Sequence, residues 1–206
     1  MSKPRAKKIK LLLFDVDGVM TDGTIWFFPA PPGVPAANRE PALGEDGKPV
    51  LAAPSRAFLE AKGFHAHDGT GITLARLGGL KTGLITKRIS ETVALRARDL
   101  RMDYVCQGVE DKVDALEEIL KKERMTAAEV AYVGDDVIDL PVMRRCGLAV
   151  AVPNAREEVK DEAHIITDHR GGEGAVRDAV EYILQAQGKW HEVVEGYVAA
   201  RSGRRS

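Results

Sequence analysis

The uninterrupted apolar run Leu11-Leu-Leu-Phe14 stops abruptly on Asp15-Val-Asp17-Gly18, and this junction constrains the chain more than any other feature. A run without polar alternation is expected of a strand buried on both faces, which places a strand over Ile9–Phe14 at the centre of a sheet. Similar β-rich runs recur at Lys81–Ile85, Asp103–Cys106, Val130–Val133 and Leu148–Val152, with a short edge at Ile165–Ile166. Helical patterns lie between them, at Gly69–Leu77, Ser90–Leu100, Lys112–Arg124, Asp139–Arg145, Ala155–Asp161 and Ala175–Ala186. Thr126 and Glu129 have capping-box spacing, and Asn154 with Glu157 is placed to cap the helix after the fifth strand. Strand–helix alternation at this spacing predicts an α/β fold: a parallel sheet covered by helices on both faces, joined by right-handed crossovers.

One stretch departs from the rhythm. Thr24–Phe28 reads as a strand, and Pro29–Pro54 then holds seven of the chain's ten prolines. Proline removes a backbone donor and fixes φ, so an exposed loop is expected here, the tip of a hairpin returning through Ser55–Leu59. With 206 residues, 44% hydrophobic and 30% charged, the chain has the material for one globular domain. A net charge of -1 gives no electrostatic case for nucleic acid. The basic start, Met1 to Lys10, leads into an apolar stretch that Asp15 ends too soon for a signal peptide, and no window reaches the length of a membrane span. A cytoplasmic location is the expectation. Cys106 and Cys146 have no disulfide or metal spacing and read as core thiols.

In open α/β sheets the ligand site lies beyond the carboxyl ends of the strands. Four strand ends deliver polar groups there: Asp15-Val-Asp17-Gly18, Thr86-Lys87-Arg88, Asp111-Lys112, and Gly134-Asp135-Asp136 with Asp139 close behind. Several carboxylates converging on one edge repel one another unless a hard cation neutralises them. Oxygen-only ligands point to a hard cation, and with a phosphate substrate they would point to Mg²⁺. Phosphate monoester hydrolysis asks for such a set, because it needs a nucleophile, a proton donor for the leaving alkoxide and positive groups around the phosphoryl oxygens.

The ordered set Asp-x-Asp-Gly, Thr, Lys and Gly-Asp-Asp-x-x-Asp resembles the haloacid dehalogenase-like superfamily. The longer strings Asp15–Gly23, Tyr132–Met143, Gly147–Val152, Gly171–Arg177 and Ala186–Trp190 resemble, within it, the phosphatases of 3-deoxy-D-manno-octulosonate 8-phosphate. The resemblance covers about residues 9–190, apart from the proline-rich insert. It implies a Rossmann-like three-layer sandwich over residues 1–190, capless, with a β-hairpin insertion after the first strand, the proline-rich loop 29–54 within that hairpin, and a C-terminal tail at 191–206. Asp15 would then attack phosphorus and Asp17 would act as acid and base. Thr86 would bind a phosphoryl oxygen, and Lys112 would balance the charge of nucleophile and phosphate. Mg²⁺ would sit between Asp15, the Asp17 carbonyl and Asp135, with Asp136 and Asp139 assisting directly or through water. The substrate implied is a small phosphorylated sugar acid. The assembly implied is a homotetramer, with Trp26–Phe28 and the tail beyond Gly188 at subunit contacts.

Other readings stand beside these. Asp136 and Asp139 could instead cap the helix that follows. Arg88 could grip a substrate carboxylate or form an ion pair. His65 and His67 read as structural histidines just before Asp68 and Gly69, two candidate substrate-binding residues. Gly171–Gly174 could bind an anion with free N–H groups or form a plain turn. Lys87, the pair His65 and His67, and Glu173 stand where such phosphatases carry Gly, Asn with Arg, and Arg. These departures bear on the substrate, leaving another nonulosonate 9-phosphate or a small sugar phosphate as the alternative. A receiver domain, or an interaction module without catalysis, represents a different class.

Overall fold

The structure is a computed structural model that describes residues 2–29 and 58–202. The chain divides into two compact units, one made of residues 1–24 with 63–206 and the other of residues 25–62.

In the larger unit, helix α1 (Ser2–Ala6) precedes strand β1 (Leu11–Phe14), all four residues of which are buried. The smaller unit is a hairpin of β2 (Trp26–Pro29) and β3 (Phe58–Ala61), antiparallel with Trp26 opposite Ala61. Trp26 and Phe28 lie two apart on one face, and their rings stack at 6.4 Å, as the strand period requires. The expected loop tip at 29–54 and the beginning of the return strand lie mostly outside the described residues.

The larger unit continues with α2 (Ala66–Leu77), β4 (Lys81–Thr86), α3 (Glu91–Asp99), β5 (Tyr104–Gln107) and α4 (Lys112–Glu123). Then come β6 (Val130–Gly134), α5 (Leu140–Met143), β7 (Leu148–Ala151), α6 (Glu157–Glu162), β8 (Ile165–Ile166), α7 (Ala175–Ala186) and α8 (Trp190–Ser202). Six strands form one sheet in the order β5-β4-β1-β6-β7-β8, every pair parallel. This is the expected α/β architecture. The chain runs outward from β1 to β5 and then returns to place β6 against β1, so the topological switch falls between the two strands that end in Asp15 and Asp135.

Local sequence accounts for the element ends. Ser90 caps α3 by accepting from Val93 N–H, and Asp111 caps α4 by accepting from Val113 N–H at 2.8 Å. Glu129 accepts from Thr126 N–H at 2.8 Å, closing the short turn before β6 as the capping-box spacing predicts. Three expectations are corrected. The helix expected over Asp139–Arg145 is a 3-10 turn, Val137–Asp139, followed by the four residues of α5. The helix after β7 begins at Glu157 without a side-chain cap, because Asn154 is engaged elsewhere. As far as residue 202, the expected C-terminal tail is helix α8, whose Trp190, Val193 and Tyr197 recur at helical spacing and pack on the core. Arg177 of α7 lies over the Trp190 ring at 4.9 Å, an additional fastening for that helix.

Candidate active site

Asp15 follows β1 directly, and its N–H still donates to Val133 O of β6, so the sheet ladder itself sets where the carboxylate starts. Beyond it the chain leaves the sheet in a tight turn. Val16 O accepts from the N–H groups of Val19, Met20 and Thr21. Gly18 takes φ +92 there, and a Cβ at that position would overlap the Asp135 carboxylate. Glycine is therefore what allows the two acidic strand ends to approach.

Four of the sequence candidates converge. Lys112, only 5% exposed at the start of α4, reaches Asp15 Oδ1 at 2.9 Å and Asp139 Oδ1 at 2.7 Å. Carboxylate oxygens of Asp15, Asp135 and Asp139 lie within 4.8 Å of one another. Thr86 is buried at the end of β4, where its hydroxyl accepts from Arg88 N–H. Asp17 follows two residues after Asp15, with Arg88 Nε 3.6 Å from its Oδ2; of the two readings for Arg88, an ion pair is the one seen here.

The charges explain the electrostatics. Burial and the Asp139 charge raise Asp15 to about 6, against the opposing pull of Lys112. Burial, then Asp15 and Asp139, push Asp135 up to about 8. Burial would lower the Lys112 ammonium, but Asp15 and Asp139 outweigh it and hold it above its usual value.

Asp139 and Asp136 have work within the protein. Asp139 is fully buried, and its Oδ1 accepts from Lys112 Nζ and Tyr132 OH while its Oδ2 accepts from the N–H groups of Asp135 and Asp136. Both oxygens are thus engaged by protein donors, so Asp139 orients Lys112 and the turn after β6. Asp136 caps the same turn by accepting from Val137 N–H at 2.7 Å. Asp135 differs: its Oδ1 is buried without a hydrogen-bond partner among the described residues. An orphaned, buried acceptor beside the Asp15 carboxylate fits a hard, oxygen-seeking divalent cation, so the residues present suit Mg²⁺.

Asp68 and Gly69 do not join this cluster. Asp68 is 3% exposed, and its Oδ1 accepts from Arg177 N–H at 2.9 Å, supplying from α2 the cap that Gly174 cannot give to α7. Burial raises its carboxyl above the ordinary value. Gly69 is buried in the same turn beside Arg96 and Leu100. His65 and His67 meet edge to face at 4.8 Å, close enough to Asp68 for their charge to bear on its carboxyl. The Gly171–Gly174 turn does not offer free donors to an anion at its start. Gly171 N–H goes to Asn154 Oδ1, Gly172 N–H to Val19 O and Glu173 N–H to Arg170 O. Sequence reading missed Asn154 and Tyr132 at this edge; the only signal was their place on strands or loops flanking the acidic turns.

The cluster sets a pH dependence. A carboxyl whose folded-state value is raised stabilises the fold fully below about 3.8, its unfolded value, and that contribution is lost as pH rises through the folded value. Metal-free protein is therefore expected to lose stability between about pH 4 and pH 8 on account of Asp15 and Asp135. Millimolar Mg²⁺ is expected to raise Tm markedly at pH 8 and little at pH 5, since protons compete for the same oxygens. Thermal melts with Mg²⁺ or with chelator at the two pH values test this, and an equal shift at both would contradict it.

A switch-point cluster of this kind, with Asp-x-Asp-Gly, Lys and Gly-Asp-Asp at its strand ends, defines a haloacid dehalogenase-like hydrolase, and the profile of that family matches residues 94–179. A 3-deoxy-D-manno-octulosonate 8-phosphate phosphatase of Escherichia coli is 35% identical over 188 residues, which is 91% of this chain and 86% of that protein. The crystal structure of the Moraxella catarrhalis phosphatase of that name, in complex with magnesium, phosphate and KDO, is 32% identical and covers 95% of this chain and 97% of that one, with a TM-score of 0.77. A phosphatase structure from Pseudomonas syringae is 39% identical at a TM-score of 0.78, covering 95% of this chain and 96% of that one. The chain belongs to the 3-deoxy-D-manno-octulosonate 8-phosphate phosphatase family.

Proposed function

We propose that the protein hydrolyses the phosphomonoester of 3-deoxy-D-manno-octulosonate 8-phosphate, with magnesium as cofactor and Asp15 as nucleophile. The observation that carries this reading is the buried Lys112 ammonium held 2.9 Å from Asp15 Oδ1 and 2.7 Å from Asp139 Oδ1. A nucleophile that must meet an anionic phosphoryl group needs a fixed positive charge at its side, and burial keeps that charge unscreened.

In the reaction one Asp15 oxygen attacks phosphorus and the bond from phosphorus to the sugar oxygen breaks. Asp17, protonated, gives its proton to the departing alkoxide. Asp17 then takes a proton from water as that water attacks the aspartyl-phosphate, which restores Asp15 and releases inorganic phosphate. Thr86 donates its hydroxyl to a phosphoryl oxygen, and Lys112 balances the charge gathered on nucleophile and phosphate. Asp15, Asp135 and the Asp17 carbonyl would hold Mg²⁺, which neutralises phosphoryl charge when bound. Asp139 and Asp136 support this set from behind through their own hydrogen bonds.

Arg88 is the group suited to the sugar carboxylate, exchanging its Asp17 partner for the substrate. Arg88→Ala is expected to raise KM about 10- to 100-fold for the acidic sugar phosphate, the worth of a charged hydrogen bond, and to leave KM for p-nitrophenyl phosphate within about threefold. Equal effects on both substrates would remove Arg88 from recognition.

The assembly proposed is a homotetramer in which Trp26, Phe27 and Phe28, each more than half exposed in the single chain, find subunit partners. Among the described residues no helix is long and apolar enough to cross a membrane, and a cytoplasmic location accords with the reading. A phosphate-release panel with and without Mg²⁺ tests the function. The octulosonate 8-phosphate should be preferred; preference for a nonulosonate 9-phosphate or a simple sugar phosphate would redirect the assignment. Release from no sugar phosphate would overturn it in favour of an interaction module.

A further inference from the structure

Three segments far apart in the chain meet behind the nucleophile: the turn after β1, the loop after β7 and the turn before α7. A single side chain joins them. Asn154 Nδ2 donates to Gly18 O at 2.8 Å, and Asn154 Oδ1 accepts from Gly171 N–H at 2.7 Å. Gly172 N–H adds a bond to Val19 O at 3.1 Å. The contact between backbones is so close that a Cβ on Gly171 would overlap Gly18 O.

We propose that Asn154 is a positioning residue for the reaction: it fixes the Gly18 carbonyl, and through it the Asp15–Gly18 turn that presents the nucleophile and the acid/base. The inference rests on the phosphatase reading given above. The amide suits the role because one end donates and the other accepts, so it satisfies a carbonyl and an N–H in the same plane. Val16 O closes the turn from within by accepting from three N–H groups, whereas the Gly18 carbonyl is held from outside it, by Asn154. A shift of about 1 Å in a reacting group costs on the order of 100-fold in rate, which sets the scale expected here.

Asn154→Ala is expected to lower kcat about 10- to 100-fold with KM within about threefold. Asn154→Asp, which keeps the acceptor for Gly171, should fall between alanine and wild type. Hydrogen exchange read by mass spectrometry should show residues 15–22 losing protection in Asn154→Ala while β6 keeps its own. A kcat within twofold of wild type, unchanged protection over 15–22, or equal loss across β6 would each overturn the proposal. If Asn154→Ala does not fold, exchange in the wild type decides: slow exchange of the Gly171 N–H and the Asn154 amide protons supports the clasp, and rapid exchange overturns it. A wild type that releases no phosphate would sink the phosphatase reading while leaving the exchange result to judge the clasp.

Discussion

Asp15→Asn is expected to abolish turnover, with kcat on the order of 10⁴-fold or more below wild type. The amide has nearly the shape of the carboxylate but no anionic oxygen to attack phosphorus, so no aspartyl-phosphate forms. The fold should survive, because the substitution removes one charge from a cluster in which burial and the Asp139 charge already raise Asp15 to about 6. Lys112 keeps its 2.7 Å partner Asp139 and the Tyr132 hydroxyl. The metal-free variant is therefore expected to melt no lower than wild type at pH 8, where the unmutated carboxylates repel most strongly. Acid-quenched wild type, mixed with substrate, should yield phosphorylated protein by mass spectrometry, and the variant should yield none. Wild-type rates in the variant would show that another group attacks. An aspartyl-phosphate lasting minutes without turnover would instead favour the receiver reading.

The site was legible in sequence as far as single strand ends carry it. Asp15, Thr86 and Asp135 stand at the close of apolar runs, and a parallel sheet brings the ends of neighbouring runs to one edge. Lys112 was legible through its place at a helix start, since α4 follows β5 and must return along the sheet. Relations set by tertiary contact were not legible. Asp139 has the spacing of a metal carboxylate, and only the fold shows both of its oxygens turned toward Lys112, Tyr132 and two backbone N–H groups. Asp68 stood as a candidate for substrate binding, and only the fold shows its carboxylate accepting from the Arg177 N–H of a helix more than a hundred residues away. Asn154 looked like a local cap, a reading natural to its spacing from Glu157, while its partners are Gly18 and Gly171. Helix α8 escaped notice because the apolar stripe Trp190, Val193, Tyr197 is diluted by glutamates and Gly196. In each case the missing information was which distant backbone group a short polar side chain would find.

Lys112→Met is the variant in which activity and stability should fall together. The side chain of Lys112 is almost wholly buried, between Asp15 and Asp139, and Tyr132 OH lies 3.2 Å from its ammonium. Removing one member of a buried ion pair leaves its partner uncompensated, at a cost of about 3–5 kcal/mol. Methionine fills much of the space, so the loss is one of charge more than of packing. The sign with pH follows from Asp15 at about 6 and Asp135 at about 8 in the folded protein, against about 3.8 unfolded. Their contribution to stability is present at low pH and lost as pH rises through those values, and without Lys112 the loss is steeper. Urea melts of the metal-free variant should therefore show a large deficit relative to wild type at pH 8 and a smaller one at pH 5. With saturating Mg²⁺ and a folded variant, kcat should still fall about 10²- to 10³-fold, the scale for losing one charged group poised on the reacting centre. Lys112→Arg should not restore it, because the planar guanidinium cannot occupy the slot of a compact ammonium between two carboxylates. A deficit independent of pH would show that Lys112 serves packing alone, and an undiminished kcat would remove it from the chemistry of Asp15.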